Sequence, residues 1–331
     1  MSITIKDVAK EAGVSVATVS RVLNGSCNVS DESTKKVNET IARLNYSPNF
    51  LGRNLRKCET NVILVIMPTS EHSLYSKIVM GMQEYAGKVG YDIITAVSYS
   101  TSTAETRQMN MLFNRTVDGV ILLGTQYDAD SLNKLAENYN VALCCEGVEG
   151  ANVLTVAVDD EQAAFDAVAA LIKKGHKRIG FIGTNSAAIS STARENGYIR
   201  ALKEYGIEIK NEYIYKESYD YDCGGRAFEY FNALAEKPTA IFAVSDLLAI
   251  SAMHKAIDMD IDVGKDVAIM GFDNISMCEW IIPTLSTVGQ PCSKMGELVV
   301  AKLIENMNKT TKDNHYYTVD HRIILRESTG D

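Results

Sequence analysis

The 331-residue chain has little of what marks membrane, secreted or disulfide-stapled proteins. No run of apolar residues approaches the roughly 18 needed to cross a bilayer, and the opening MSITIKDVAKEAG carries charges where a secretory signal would need an apolar stretch. The seven cysteines are scattered, with neither a C-x-x-C pair nor a histidine at zinc spacing. These absences predict a cytoplasmic protein with free thiols.

The chain also has no motif for catalysis. It contains no nucleophile motif, no phosphate-binding loop and no metal-spaced cluster, and its five histidines are isolated in the sequence. These absences disfavour an enzyme and predict that the protein needs no cofactor.

The balance of charge is acidic overall but uneven along the chain. The net charge of −9 at first argues against a nucleic-acid partner. Residues 1–60, however, hold nine Lys or Arg and six Asp or Glu, a net +3 that leaves −12 for the rest. A basic head on an acidic body fits local binding to the phosphates of DNA.

The basic head begins with the pattern of a helix-turn-helix. Apolar residues recur at helical spacing in a first helix, at Ile5, Val8, Ala9 and Ala12. Gly13 supplies the turn, and Ser15 can cap a second helix that runs to Leu23. Ser30 can cap a third, so three short helices within about 46 residues form a small headpiece.

The second helix has two chemically different sides. Its inward side is formed by Thr18, Val19, Val22 and Leu23, and its outward side by Val16, Ala17, Ser20 and Arg21. An arginine can bind guanine through two hydrogen bonds, and small apolar groups can touch a thymine methyl group, so the outward side suits a major groove. The alternative is a surface helical hairpin with one solvated arginine.

The segment from Pro48 to Arg56 can form about two helical turns, which is too short for a stable helix in water. It is either an inert linker or a hinge that becomes helical only on DNA.

From Asn61 onward, nearly continuous apolar strands alternate with helices. The predicted strands are 62–68, 91–97, 117–124 and 141–145, then 153–159, 178–183, 214–217, 240–246 and 267–273. The predicted helices are 76–89, 104–114, 130–139, 161–174, 192–205, 223–235 and 247–258. This pattern predicts an α/β fold with two doubly wound parallel sheets, and a ligand cleft at the carboxyl ends of the strands.

Several motifs in this order resemble the LacI/GalR family of bacterial transcription regulators. They are TIKDVAKEAGVSVATVSRVLNG, YSPNFLGRNL, VAVDDEQAAFDAVAALIKKGHKRIGFIG, RENGYIRALKEYGI, AIFAVSDLLAI, DVAIMGFDN and LSTVGQP. The body is most similar to the catabolite control protein branch, at VDDEQAAFDAV and RIILRESTG.

The resemblance implies a helix-turn-helix headpiece at 1–46, a hinge helix and linker at 47–60, and a periplasmic-binding-protein-like body of two lobes at 61–331. The N-lobe is expected at about 61–158 plus a crossover at about 290–317. The C-lobe is expected at about 159–289 plus 318–331.

The resemblance also implies which residues contact DNA. They are Ser15, Val16, Ala17, Thr18, Ser20, Arg21 and Asn24 in the headpiece, and Asn49, Gly52 and Leu55 in the hinge. Leu55 matches the hinge leucine that wedges into the minor groove at the operator centre. Gly52 replaces the alanine common at its position, which would weaken the hinge helix.

The effector-binding residues implied by the resemblance are Tyr75, Arg194, Tyr219, Asp246 and Gln290. Asp246 matches an aspartate that hydrogen-bonds sugar hydroxyls, although Ser245 replaces the usual Asn. A second role, compatible with the first, is to cap the helix from Leu247.

For several other residues the sequence allows more than one role. Arg194 either contacts the ligand or pairs with Glu195. Tyr75 and Tyr219 are as suited to a core as to stacking on a ligand, and Gln290 lies on the crossover. Trp280 lines either the cleft mouth or a subunit interface. Cys292 stands where some sugar-responsive members carry an aromatic.

The function implied is a repressor that binds a pseudo-palindromic operator as a homodimer and responds to a sugar or sugar phosphate. The sequence stops soon after the strand around Arg322–Leu325, without leucine heptads, which predicts a dimer rather than a coiled-coil tetramer. No membrane partner is expected.

The sequence leaves two other functions open. One is a catabolite regulator with phosphorylated HPr as its corepressor, although Ile282 stands where that branch carries an arginine for the phosphoserine. The other is a sugar transport receptor or an enzyme on the same two-lobe scaffold, which the DNA-binding head disfavours.

Overall fold

The computed structural model describes residues 3–23, 29–46, 59–185, 188–309 and 312–331. The chain divides into two compact units, Met1–Glu59 and Thr60–Asp331, which are described one at a time. The predicted hinge falls largely on residues 47–58, outside the described residues.

The described part of the first unit contains α1 (Ile5–Ala12), α2 (Val16–Leu23) and α3 (Asp31–Leu44). Gly13 has a left-handed φ of 64° that ends α1. The Ser15 side chain accepts a hydrogen bond from the Thr18 backbone N–H at 3.1 Å, and Ser30 caps α3 by accepting from the Ser33 N–H. The predicted turn and both predicted caps are therefore confirmed.

The core of the first unit takes one valine from each helix. Val8, Val19 and Val37 are 0% exposed, and Ala9 is buried with them. Burying a side chain of this size contributes about 1.5–3 kcal/mol. These few contacts therefore fix which side of α2 remains available to a partner.

The first sheet of the second unit contains β1 (Val62–Met67), β2 (Asp92–Val97), β3 (Gly119–Leu122), β4 (Val141–Cys144), β5 (Leu154–Ala157) and β11 (Tyr316–Thr318). The strand order is β11-β5-β4-β3-β1-β2, and every neighbouring pair is parallel. Its helices are α4 (Ser73–Val89), α5 (Ser102–Phe113), α6 (Ala129–Asn138) and α11 (Cys292–Met307). Alternate residues of β1 enter two different cores, Ile63 and Val65 one and Leu64 and Ile66 the other, so both faces of the sheet are covered.

The second sheet contains β6 (Ile179–Thr184), β7 (Ile214–Glu217), β8 (Ala240–Ala243), β9 (Ala268–Asp273), β10 (Ser286–Gly289) and β12 (Arg322–Ile324). The strand order is β12-β10-β9-β8-β6-β7, and only β12 is antiparallel to its neighbour. Its helices are α7 (Asp160–Lys173), α8 (Ile189–Glu204), α9 (Tyr221–Ala233) and α10 (Asp246–Asp258). Short 3₁₀ helices lie at Asn211–Tyr213, Ser276–Glu279 and Glu327–Thr329.

The chain passes from one sheet to the other after β5, after β10 and after β11. The two-sheet α/β fold predicted from the apolar pattern is confirmed, with corrections at particular elements. The helix predicted at 192–205 begins at Ile189, and α11 was not predicted.

Two further observations on the described ranges concern membrane-spanning helices and disulfides. Each helix there is too short or too polar to span a bilayer. The cysteines that these ranges include carry no disulfide, namely Cys144, Cys145, Cys223, Cys278 and Cys292.

Candidate functional site

The outward side of α2 is the candidate DNA interface. Val16 is 42% exposed, whereas Val19 is 0% exposed. Ala17 and Arg21 are exposed with Val16, and Ser20 is half-buried. The predicted division of α2 into an inward and an outward side is therefore confirmed.

The other DNA-binding candidates are placed differently. Ser15 and Thr18 lie at the start of α2, where their hydroxyl groups are 2.9 Å apart. Four candidates lie outside the described residues: Asn24, Asn49, Gly52 and Leu55.

In the second unit, Arg194 holds a nearly buried charge cluster at the carboxyl ends of the strands. Its side chain is 12% exposed, and its Nε and Nη2 both donate to Oδ1 of Asp160 at 2.8 Å. Its Nη1 donates to the carbonyl oxygen of Val244 and lies 3.6 Å from Oδ1 of Asp273. The alternative that Arg194 pairs with Glu195 is wrong, because Glu195 pairs with Lys216.

Asp273, the last residue of β9, connects Arg194 to the crossover. It is 2% exposed, and its Oδ1 accepts a hydrogen bond from Nε2 of Gln290 at 2.7 Å. Its Oδ2 lies 3.5 Å from Nε2 of His72, the residue before α4. One carboxylate thus contacts residues from three separate segments, which is the arrangement expected of a ligand site between two sheets.

The two predicted tyrosines lie beside this cluster. The hydroxyl oxygen of Tyr219 is 2.9 Å from Nε2 of His72, and its ring stacks on the imidazole at a centroid distance of 6.2 Å. The Tyr75 ring centroid is 5.5 Å from that of His72. His72 therefore connects an element of the first sheet to Tyr219, which follows β7 of the second.

Electrostatics in this cluster are dominated by burial. Burial raises the pKa of Asp160 to about 6, although Arg194 acts in the opposite direction. The guanidinium carbon of Arg194 also lies 3.7 Å from the centroid of the Phe272 ring, a cation–π geometry. The arginine is therefore fixed by a carboxylate, a carbonyl and an aromatic face.

Asp246, which the resemblance places at the effector, has both of its carboxylate oxygens occupied by groups of the protein itself. Asp246 is 0% exposed, its Oδ2 accepts from the Ile275 backbone N–H at 2.8 Å, and its Oδ1 accepts from the Thr287 hydroxyl at 2.5 Å. The predicted capping role of Asp246 is wrong, because Ser245 is the residue that caps α10 and Asp246 is the first residue of the helix. Asp246 holds the loop after β9, and with it Asp273.

This assignment predicts a pH-dependent effect of Asp246→Asn. Burial raises the pKa of Asp246 from 3.8 to about 7. The native state therefore binds an extra proton between about pH 4 and 7, and stability falls as pH rises through that window. The amide stays neutral, can accept from Ile275 and can donate to Thr287. Urea unfolding should show the variant close to wild type at about pH 4 and more stable, by up to about 4 kcal/mol, at pH 8.

Asp258→Asn is the matched control, since Asp258 is exposed at the other end of the same helix. A parallel pH profile for Asp246→Asn and wild type would contradict a buried, titrating Asp246.

Sequence reasoning missed Asp273 and His72. Asp273 ends an apolar strand, which is the same signal that singled out Asp246, so that signal could have found it. His72 had no signal, because its partner Tyr219 is 147 residues away. Trp280 is 76% exposed, directly after the 3₁₀ helix Ser276–Glu279, and Cys292 is buried at the start of α11.

Two family models match the chain. Residues 4–49 match the model of bacterial regulatory proteins, lacI family, and residues 168–329 match a periplasmic binding protein-like domain. A DNA-binding headpiece and a ligand-binding type of body thus occur in one chain, which is the organisation of a transcription regulator.

Relatives that match this chain over nearly its full length are transcription regulators as well. Catabolite control protein A of Priestia megaterium is 38% identical, over 99% of this chain and 100% of that protein. A solved complex of the transcriptional regulator CelR with cellobiose is 26% identical, with a TM-score of 0.74 over 98% of this chain and 99% of that one. The lac repressor dimer bound to operator and the anti-inducer ONPF is 23% identical, with a TM-score of 0.90 over 99% of each chain, and shows the same fold. The chain belongs to the LacI family of bacterial transcription regulators.

Proposed function

We propose that the protein is a repressor whose affinity for an operator is set by a small carbohydrate bound beside Arg194. The observation that carries this proposal is the cluster of Arg194, Asp273 and Gln290, where polar side chains from separate segments meet at the strand ends. Tyr75 and Tyr219 supply aromatic faces next to it. The CelR relative solved with cellobiose supports a sugar as the ligand.

The protein would act in the cytoplasm as a homodimer, with two α2 helices in successive major grooves of a pseudo-palindromic operator. Leu55 would enter the minor groove between them. An effector needs to supply a coupling free energy of only about 1–3 kcal/mol to change operator affinity by 5–150-fold. No catalytic role is proposed.

Arg21→Ala tests the DNA-binding part of this proposal. An arginine that binds guanine through two hydrogen bonds contributes about 1–3 kcal/mol of discrimination, so we expect about 10- to 100-fold weaker binding to an operator selected from random duplexes. Binding to unrelated DNA should change little. Fluorescence anisotropy at one fixed salt concentration measures both affinities.

Lys36→Ala is the matched control, since Lys36 is exposed on α3 and pairs with Glu32 at 2.7 Å. If Arg21→Ala lost the same affinity for the operator and for unrelated DNA, Arg21 would contact phosphates. Its predicted role in reading base edges would then be wrong.

A second candidate function is that of a catabolite control regulator with phosphorylated HPr as corepressor. The 38% identity to catabolite control protein A favours it. The surface at Ile282 argues against it. A phosphoserine would need a cation there, whereas the Ile282 side chain is apolar and 87% exposed. A pull-down with phosphorylated and unmodified HPr separates the two functions.

A further inference from the structure

A cavity of about 290 Å³ lies next to the Arg194 cluster, close to the lower limit for small-molecule sites. Its walls come from the segment after β4, the connection from β5 into α7, the first turns of α8, and β11. Asp160 belongs both to this lining and to the salt bridge with Arg194. Asp160 thus links the lining of this cavity to the proposed effector site.

The lining of this cavity is acidic. It includes four carboxylates, Glu146, Asp159, Asp160 and Glu161, and no Lys, Arg or His among the residues described. Two of them are compensated by arginines, Asp160 by Arg194 and Glu161 by Arg200.

The other two carboxylates meet neutral donors. Oε1 of Glu146 accepts from the backbone N–H and the hydroxyl of Ser190, at 2.9 and 2.8 Å. Oδ1 of Asp159 accepts from the backbone N–H of Gln162 at 2.9 Å. Among the described residues, Glu146 and Asp159 have no cationic side chain as a partner, so their negative charges would repel a phosphate and attract a cation.

An aromatic ring completes the wall. Tyr316 of β11 is 49% exposed, and its ring lies against Gly147, where a Cβ atom would come within 2.8 Å of it. Burial and the nearby Asp160, Asp159 and Glu146 raise the pKa of its phenol. A half-exposed aromatic face beside carboxylates is the combination that binds ammonium groups in proteins.

We infer that the effector is a carbohydrate with a protonated amine, such as an amino sugar or an aminocyclitol, and that Glu146, Asp159 and Tyr316 bind its ammonium group. This inference rests on the proposed function and narrows it, because it removes sugar phosphates from the expected effectors. The hydroxyl groups of the same ligand would face Asp160 and, beyond it, Arg194.

The test uses the full-length protein and sets of ligands that differ only in charge. Each set contains an amino sugar, its neutral parent and the phosphate of that parent, for example glucosamine, glucose and glucose 6-phosphate, with the galactose and mannose sets and an aminocyclitol in parallel. Titration calorimetry should show the amine of at least one set binding at least about tenfold tighter than its neutral parent, and the phosphate weakest.

Glu146→Gln and Asp159→Asn remove one charge each and keep a hydrogen-bond acceptor. Each variant should reduce the preference for the amine severalfold and leave the affinity for the neutral parent nearly unchanged. Glu149→Gln is the matched control, because Glu149 is exposed three residues beyond Glu146 and outside the lining. A general loss of folding would instead weaken all members of a set together.

The inference is overturned if a neutral sugar or a phosphate binds as tightly as the amine, or if no amine binds at millimolar concentration. Operator binding separates this failure from that of the proposed function. If a neutral or phosphorylated sugar changes operator affinity, the proposed function stands and the inference of an amine effector is wrong. If no carbohydrate of any charge changes it, the carbohydrate effector itself is wrong.

Discussion

Replacing Arg194 with alanine is expected to abolish the response to effector and to lower the free energy of unfolding by about 3–5 kcal/mol. The side chain is 12% exposed and lies 2.8 Å from Asp160 and 3.6 Å from Asp273. Without the guanidinium group, two nearly buried carboxylates would share one site with no cation between them. Removing one partner of a buried charge pair costs far more than the pair contributes in net terms, because the remaining charges stay desolvated.

Arg200→Ala is the control, on the same helix and about one and two-thirds turns further along. It pairs with Glu161, but its side chain is 35% exposed, so we expect a loss of at most about 1 kcal/mol. Arg194→Lys should retain part of the stability and little of the ligand affinity, because lysine cannot make the forked contact. Urea unfolding and effector-dependent operator binding measure the two effects. Equal destabilisation by Arg194→Ala and Arg200→Ala would contradict the buried cluster.

Gly81→Ala is expected to be among the most destabilising single-methyl additions, by about 3 kcal/mol or more. Gly81 lies in α4 against α11, and a Cβ atom built on it would come within 2.2 Å of the backbone oxygen of Ser293. Gly296 of α11 has the same relation to the backbone oxygen of Ile78. Because the neighbours are backbone atoms, they cannot move aside without separating the helices.

Gly87→Ala is the matched control in the same helix. A Cβ atom there meets nothing within 4 Å, so alanine should stabilise the protein by about 0.5–1 kcal/mol through its higher helix propensity. Thermal and urea unfolding of the two variants should therefore shift in opposite directions. Gly81→Ala should also weaken effector binding, since α4 follows His72 and α11 follows Gln290. If the Gly81→Ala variant were as stable as wild type, the close backbone contact between α4 and α11 would be wrong.

Much of the fold was predictable because strands buried on both faces have a nearly continuous apolar sequence. The headpiece was predictable for a different reason, since its caps and turn depend on contacts between residues close in sequence, such as Ser15 with Thr18.

The site was harder to predict, as Asp246 and Asp273 illustrate. Each is a charged residue at or just after the end of an apolar strand in the second sheet. The sequence alone therefore predicts the same role for both. Only the three-dimensional contacts distinguish them: Asp246 is enclosed by Ile275 and Thr287, whereas Asp273 meets Arg194 and Gln290. Pairs that join residues distant in sequence, such as His72 with Tyr219, leave no local pattern to detect.

The three passages of the chain between the sheets have a consequence for how the protein is made. As it leaves the ribosome, the first sheet lacks its edge strand until Tyr316–Thr318 has emerged, and the second lacks its own until Arg322–Ile324 has followed. From its own synthesis until its partner strand emerges, each of β5 and β10 is therefore an open edge on which another nascent chain can add a strand. Both sheets gain these strands almost together, so the cavity that Tyr316 lines forms at nearly the same moment as the edge of the second sheet is covered.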